Sequence, residues 1–224
     1  MCECYLAAPA LQKQGVHLIS LDEMTNIQAL ERAAPSKPVK VDQVIKREFE
    51  YIRHGTISLI ANLEVATGKV LSPSLLATRT EADFLAHIKQ TTATDPKGYW
   101  IFIADQLNIH QSASLVEFVK EQCQLKELDL GEKGKHGILA GLQTRRAFLE
   151  DKSQRIRFVY LPKHCSWLNQ IEIWFSILSR KLLKSGSFSS IAELSSRILA
   201  FIAYFNRVLA KPFKWTFSGR PLQA

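Results

Sequence analysis

The chain has 224 residues, of which 46% are hydrophobic and 22% are charged, and its formal net charge at pH 7 is +8. This length and composition suit one sizeable hydrophobic core and exclude a low-complexity or disordered chain. No run of about 18 apolar residues occurs, so no membrane-spanning helix is expected. The four cysteines show no pattern of a disulfide framework or a zinc site, and with no signal peptide they predict reduced thiols in the cytoplasm.

The positive charge is unevenly distributed along the chain. Residues 125–183 contain more Lys and Arg than Asp and Glu. Because a DNA duplex carries one negative charge per ~1.7 Å of its axis, a basic region of this kind favours a nucleic-acid partner. A solvated face of ordinary mixed charge is the alternative.

The apolar patterns predict an α/β chain. Short apolar or alternating runs predict strands at residues 17–21, 23–32, 100–104 and 157–161, with a hairpin over 55–71. Capping signals and apolar stripes predict helices at about 80–91, 112–123 and from 190 onward. Residues 23–32 are expected to pair with the first strand, which with the hairpin gives three neighbouring antiparallel strands. Residues 125–155 form a Gly-rich, basic insertion that breaks this pattern.

Two of these predicted strands end in a carboxylate. Asp22 and Glu23 follow the first strand, and Asp105 follows the strand at 100–104. Ligand sites in α/β sheets form just past strand ends, so each carboxylate is well placed for chemistry. A helix cap or a turn residue is the alternative for each Asp taken alone.

A third carboxylate, Glu172, lies in an apolar helical seam. The apolar positions recur at three- and four-residue steps; they are Trp167, Ile171, Trp174, Phe175, Leu178 and Leu182. A charge beside a buried face needs compensation, which a metal ion supplies. A side chain that reaches solvent, or that pairs with Arg180 or Lys181, is the alternative.

Five segments carry recognisable signatures; they are Leu21–Arg32, Tyr51–Thr56, Ala104–His110, Ser166–Phe175 and Lys211–Thr216. In sequence and in order they resemble those of insertion-sequence transposases of the IS630 type, within the Tc1/mariner group of DDE transposases. The resemblance implies an RNase H-like fold, with a mixed central sheet and flanking helices. It also implies that Asp22, Asp105 and Glu172 form a catalytic triad that binds divalent metal.

The chemistry of phosphodiester cleavage suits that triad. Two Mg²⁺ ions roughly 3.5–4 Å apart activate the attacking oxygen and stabilise the leaving oxygen. Mg²⁺ prefers carboxylate oxygens, and Mn²⁺ is expected to substitute for it. Asp22 would bridge both ions, Asp105 would hold the ion on the attacking side, and Glu172 would hold the ion on the leaving side.

Further residues are candidates for supporting roles. Outer partners of the metal site are expected to be Asn108, His110 and Asn169. DNA contacts are expected from Lys133, Lys135, Arg145, Arg146, Lys163 and His164. Trp167 and Trp174 are expected to lie in the core rather than to stack on bases.

The whole of residues 1–224 is expected to be one catalytic domain, because the 21 residues before Asp22 leave no room for the helix-turn-helix domain of the family. Its expected partners are transposon ends, target DNA with a TA site, and a second copy of the chain, inside a bacterial cell. Gln106, Gln111 and Met24 depart from the family pattern. The alternative function is therefore that of an inactive or truncated transposase remnant, which binds DNA or full-length transposase as a modulator.

Overall fold

The computed structural model describes residues 1–34 and 48–217. These residues form one five-stranded mixed sheet. Its strands are β1 (Val16–Arg32), β2 (Tyr51–Glu64), β3 (Lys69–Leu76), β4 (Tyr99–Ala104) and β5 (Ile156–Tyr160). The strand order is β3-β2-β1-β4-β5, in which β1, β2 and β3 are antiparallel and β4 and β5 run parallel to β1. The parallel strands need helical crossovers, and the antiparallel strands need only a hairpin, at 65–68 between β2 and β3.

Helices cover both faces of the sheet. They are α1 (Cys2–Lys13), α2 (Glu81–Thr92), α3 (Ala113–Gln122), α4 (Leu142–Leu149), α5 (Ile171–Leu178) and α6 (Ile191–Tyr204). Alternate residues of β4 divide between the two faces, because successive strand side chains point in opposite directions. Trp100 and Phe102 pack in a core with α2, α3 and α4, whereas Ile101 and Ile103 pack with α1. A third core joins β2 to α5 and α6.

The first strand is longer than the sequence predicted. The expectation of two strands at 17–21 and 23–32 was wrong, because β1 continues through both and stays paired with β2. Its register shifts between Met24 and Ile27, where Asn26 takes a left-handed conformation with φ of 56°. Asparagine tolerates that conformation, so the strand bulges without ending. Asp22 consequently lies within β1, two residues beyond Ser20, where the parallel pairing with β4 stops.

The other predicted elements formed with small boundary changes. The hairpin, the strands at β4 and β5, and the capping box of Thr80 and Asp83 are confirmed. Ser190 caps α6, but the Glu193 carboxylate accepts hydrogen bonds from Ser189 rather than from Ser190. The basic insertion, residues 125–155, contains α4. None of the helices among the described residues is long and apolar enough to cross a membrane.

The helical seam around Glu172 is shorter than expected. A 3₁₀ turn (Ser166–Leu168) precedes α5, and a π-helical turn (Ser179–Leu183) follows it. Trp174 is fully buried, as predicted, whereas Trp167 is 63% exposed. The expectation that Trp167 is a core residue was wrong, because the chain starts its α-helix at Ile171 and Trp167 belongs to the separate turn.

Candidate active site

Asp22 is held by a polar clasp between β1 and the start of α5. The Asn169 side chain donates hydrogen bonds to the Asp22 carboxylate (3.1 Å) and to the carbonyl of Leu21 (2.9 Å). The Ser20 hydroxyl donates to the Asn169 side-chain oxygen and accepts the Ile171 amide (2.9 Å). All of these side chains are buried. The clasp therefore fixes the first turn of α5, which carries Glu172, against the strand that carries Asp22.

Asp105 directly follows β4 and is held by the buried imidazole of His110. One ring nitrogen of His110 lies 2.7 Å from the Asp105 carboxylate, and the other lies 2.9 Å from the carboxylate of Glu23. The His110 side chain is 0% exposed and the Glu23 side chain is 1% exposed. The same Asp105 oxygen also accepts the amide of Leu107 at 3.0 Å. Asp105 is thus oriented by a chain of groups that ends in a buried acid.

Glu172 lies in the first turn of α5 and is half-buried. Its backbone amide donates to the Asn169 carbonyl at 3.1 Å. An acid in the first turn of a helix also faces the positive end of the helix dipole. The polar clasp that holds Asp22 therefore also sets the position of the Glu172 backbone.

The electrostatics of the site oppose the ionisation of Asp22. Burial raises the pKa of Asp22 from its ordinary 3.8 to about 7, and the charges of Glu23, Asp105 and Glu172 act in the same direction. Burial also raises the pKa of Glu172. The three carboxylates lie in one region of the protein, because β1 and β4 are adjacent parallel strands and Asn169 links Asp22 to the start of α5.

Asp105 and His110 behave as an ion pair. Burial acts to raise the pKa of Asp105, but hydrogen bonds from His110 and the Leu107 amide outweigh it, so the pKa falls below its usual value. Burial acts to lower the pKa of His110, but its bonds to Asp105 and Glu23 raise it to about 10. His110 is therefore an imidazolium at neutral pH that donates to two carboxylates.

The donor set suits a hard divalent cation. Oxygen ligands from Asp22, Asp105 and Glu172 are those that Mg²⁺ and Mn²⁺ prefer, and a cation would relieve the unfavourable ionisation of Asp22. Within residues 1–34 and 48–217, however, no three acidic, His or Cys side chains converge into a ready-made metal cluster. The three acids share a region without forming a closed cage.

The other predicted site residues fall into separate groups. Asn108 does not join the outer partners of the acids; it is exposed and lines a pocket of about 230 Å³ together with Lys133 and Arg145. Lys135 and Arg146 are paired with acids of their own segment, Glu132 and Glu150 respectively. Both remaining candidates, Lys163 and His164, are exposed in the loop that leads to the 3₁₀ turn.

Sequence reasoning noted Glu23 after the first strand but gave it no role, and it did not identify Ser20 as part of the site. Alternation along β1 places Glu23 on the opposite face from Asp22, where it meets His110 and the apolar core around Phe84. The signal was available, because an acid forced onto an apolar face needs a cationic partner. Gln106, where the family often has Asn, donates a 2.6 Å hydrogen bond to the carbonyl of Leu161.

Comparisons with known proteins bear on this arrangement. The model of a family described as DDE superfamily endonuclease matches residues 17–195. No curated protein matches the chain. A structure of the Mos1 mariner paired end complex with Mn has a TM-score of 0.54 at 14% identity, covering 91% of this chain and 53% of that chain.

Two further Mos1 structures are similar. The paired-end complex with the left transposon end has a TM-score of 0.52 at 14% identity, covering 90% of this chain and 52% of that chain. The strand transfer complex has a TM-score of 0.51 at 16% identity, covering 90% of this chain and 51% of that chain. This chain spans about half the length of these Mos1 chains. The likeness concerns the fold, and it confirms the predicted RNase H-like architecture.

Proposed function

Because the chain belongs to the DDE superfamily of endonucleases, we propose that it cleaves and rejoins DNA as the catalytic domain of an IS630-type transposase. The observation that carries this proposal is geometric. Asp22 lies on β1, Asp105 ends the adjacent parallel strand β4, and Asn169 ties Asp22 to the start of α5. The first turn of α5 carries Glu172, so three acids from distant parts of the chain meet in one region. An acid that is buried, has a pKa near 7 and shares its region with two further carboxylates is typical of a functional site rather than of a turn or a helix cap.

Asp22, Asp105 and Glu172 would hold divalent metal, Mg²⁺ or Mn²⁺, which when bound supplies an activated attacking oxygen and stabilises the leaving oxygen of the phosphodiester. The remaining side chains of the site act on these acids. Asn169 directs one Asp22 oxygen, and His110 directs one Asp105 oxygen. Because misplacement by about 1 Å can cost ~100-fold in rate, these contacts are central to the proposal.

The proposed substrate is DNA at the ends of an insertion sequence, followed by target DNA with a TA site. The Mos1 structures that share this fold are described as paired-end and strand transfer complexes. The net charge of +8 suits a polyanionic partner. We propose that two copies of the chain act together, one on each DNA end.

Nicking of supercoiled plasmid tests the proposal. The purified chain should nick DNA with Mg²⁺ or Mn²⁺ but not with EDTA, and Glu172→Gln should abolish nicking without unfolding the protein. Glu117→Gln, an exposed acid on α3, is the matched control and should nick normally. Absence of nicking and of any effect of metal on the melting temperature would contradict a working metal site and would favour the inactive remnant.

A further inference from the structure

Trp167 is a large aromatic side chain left in solvent beside the proposed active site. It is 63% exposed, although Trp174, seven residues later, is completely buried. Two residues after Trp167, Asn169 binds the Asp22 carboxylate. The place of Trp167, two residues before a side chain that binds Asp22, makes the exposed ring a candidate contact for a substrate.

A row of aromatic rings supports Trp167 from the core outward. Tyr5 of α1 is buried, and its ring lies 4.4 Å from the ring of Trp215. Trp215 neighbours Phe217 at 6.4 Å, and Phe217 meets Trp167 at 5.1 Å with an interplanar angle of 72°. The Tyr5 hydroxyl also accepts the amide of Gln170 at 3.3 Å. The ring of Trp167 thus packs on Phe217, and the bond between Tyr5 and Gln170 holds the chain that follows Trp167.

The segment that supplies Trp215 and Phe217 is itself anchored to the sheet. Just before it, the Asn206 side chain makes two hydrogen bonds to the backbone of Val70, at 2.7 and 2.8 Å. Gly68 in the β2–β3 turn packs so closely on the backbone of Lys211 that a side chain there would collide with it. The segment Lys211–Phe217 therefore reaches from the hairpin turn to the loop of Trp167. The signature Lys211–Thr216 therefore has a structural role, because the segment that contains it holds the exposed ring of Trp167 in place.

The surroundings of Trp167 favour a nucleic acid over a protein partner. The same loop exposes Lys163 and His164, and the chain as a whole is strongly basic. A nucleotide carries a negative phosphate and a flat base. A loop that exposes both a lysine and an aromatic ring offers a contact for each of these groups. Sites for single-stranded nucleic acid combine basic grooves with aromatic side chains on which bases stack.

We propose that Trp167 is a stacking platform for an unpaired nucleobase adjacent to the phosphodiester that the site cleaves. The inference rests on the proposed function, because it takes the substrate to be DNA that is locally unpaired at the cleavage point. Stacking on an aromatic face tolerates all four bases. Trp167 would therefore hold the strand in position without reading its sequence.

Binding of a single-stranded 12-nucleotide DNA with a central 2-aminopurine tests this role in EDTA, where cleavage does not interfere. The fluorescence should be quenched on binding to the wild-type chain. Trp167→Ala should weaken binding about 5- to 100-fold and remove the quench, with the salt slope unchanged. Trp167→Phe should restore most of the binding. Trp167→Ala should weaken the binding of a fully paired duplex of the same sequence less than twofold.

Tyr99→Ala is the matched control, because Tyr99 is a 54% exposed aromatic at the opposite end of β4 from Asp105. It should leave binding of the single strand unchanged. Equal losses for single strand and duplex, or for the Trp167 and Tyr99 variants, would overturn the inference. So would a change in oligomeric state with unaltered DNA affinity, which would make Trp167 a contact between copies of the chain.

The outcomes separate the inference from the proposed function. If the wild-type chain nicks plasmid and Trp167→Ala binds single strands normally, the stacking role is wrong and the nuclease proposal stands. If quenching depends on Trp167 but no metal-dependent nicking occurs, the base-binding site stands and the cleavage proposal fails. If the wild-type chain binds no DNA of either form, both are wrong.

Discussion

Replacing Asp22 with asparagine should make the protein more stable at pH 8 and less stable near pH 4. The rise in the pKa of Asp22 from 3.8 to about 7 means that the folded protein disfavours the ionised carboxylate. Because a tenfold change in an ionisation constant is worth about 1.4 kcal/mol, ionised Asp22 lowers the free energy of unfolding by about 4 kcal/mol. The asparagine side chain of the variant would carry no charge and would avoid that cost.

The substitution also has a cost of its own. Asp22 accepts hydrogen bonds from the Glu23 amide (2.9 Å) and from Asn169 (3.1 Å), one on each carboxylate oxygen. An asparagine side chain offers only one oxygen, so one of these bonds is lost, at about 1–2 kcal/mol. The expected net gain at pH 8 is therefore about 2–3 kcal/mol.

The direction of the pH dependence follows from the raised pKa. The stability associated with protonated Asp22 is fully present below pH 3.8 and is lost as the pH rises through about 7. Near pH 4 the advantage of asparagine has nearly disappeared and the lost hydrogen bond remains. The difference in unfolding free energy between variant and wild type should thus change sign between pH 4 and pH 7.

Urea denaturation followed by tryptophan fluorescence, at five pH values from 4 to 8 in EDTA, measures this difference. Subtracting the wild-type curve removes the contribution of groups that titrate in both proteins, His110 among them. The exposed acid Glu127 provides the control, because Glu127→Gln should give a difference curve that is flat and close to zero. A flat curve for Asp22→Asn as well would refute the argument that burial and neighbouring acids destabilise the site.

Three further results are expected. His110→Ala should lower the free energy of unfolding at pH 7 by about 3–5 kcal/mol in urea denaturation, because it leaves a buried carboxylate unpaired; a loss below 1 kcal/mol would contradict the ion pair. Glu172→Gln should melt at or above the wild-type temperature in EDTA, because burial disfavours the ionised acid, but should lose the increase that Mn²⁺ produces; a retained increase would exclude Glu172 as a ligand. Removing the charges of Lys133 and Arg145, which share a pocket, should reduce the salt slope of duplex binding by about 0.9 per lost phosphate contact. Arg146→Ala should change the slope less, because Glu150 already pairs with Arg146; equal effects would argue against a DNA-binding role for the pocket.

Local patterns were sufficient to predict most of the secondary structure. The buried strand at β4 and the hairpin after β2 follow from short apolar runs with a turn between them. The start of α2 follows from Thr80 and Asp83, whose side chains and backbones exchange hydrogen bonds within four residues. Signals of this kind depend on neighbours in the chain, so they need no knowledge of the fold.

The features that the sequence did not reveal depend on distant residues. The continuity of β1 requires that Asn26 adopt a left-handed conformation while β2 keeps pairing on both sides of the bulge. The exposure of Trp167 depends on where α5 begins, which the bond between Ser20 and the Ile171 amide fixes across about 150 residues. Apolar periodicity alone placed Trp167 in the core, because it does not register the break before Ile171.

The position of Asp105 shows why this site needs supports on both faces of the sheet. Alternation along β1 sends Asp22 toward the clasp of Asn169 on one face and Glu23 toward His110 on the other. Asp105, at the end of the neighbouring strand, is bound by the second network, and its charge acts to raise the pKa of Asp22 in the first. A charged pair buried on one face stabilises the orientation of Asp105, whereas the uncompensated acid on the other face costs stability. Asp105 is therefore held by a charged partner, whereas Asp22 is ionised only at an energetic cost, so the two acids of the site differ in how their charge is compensated.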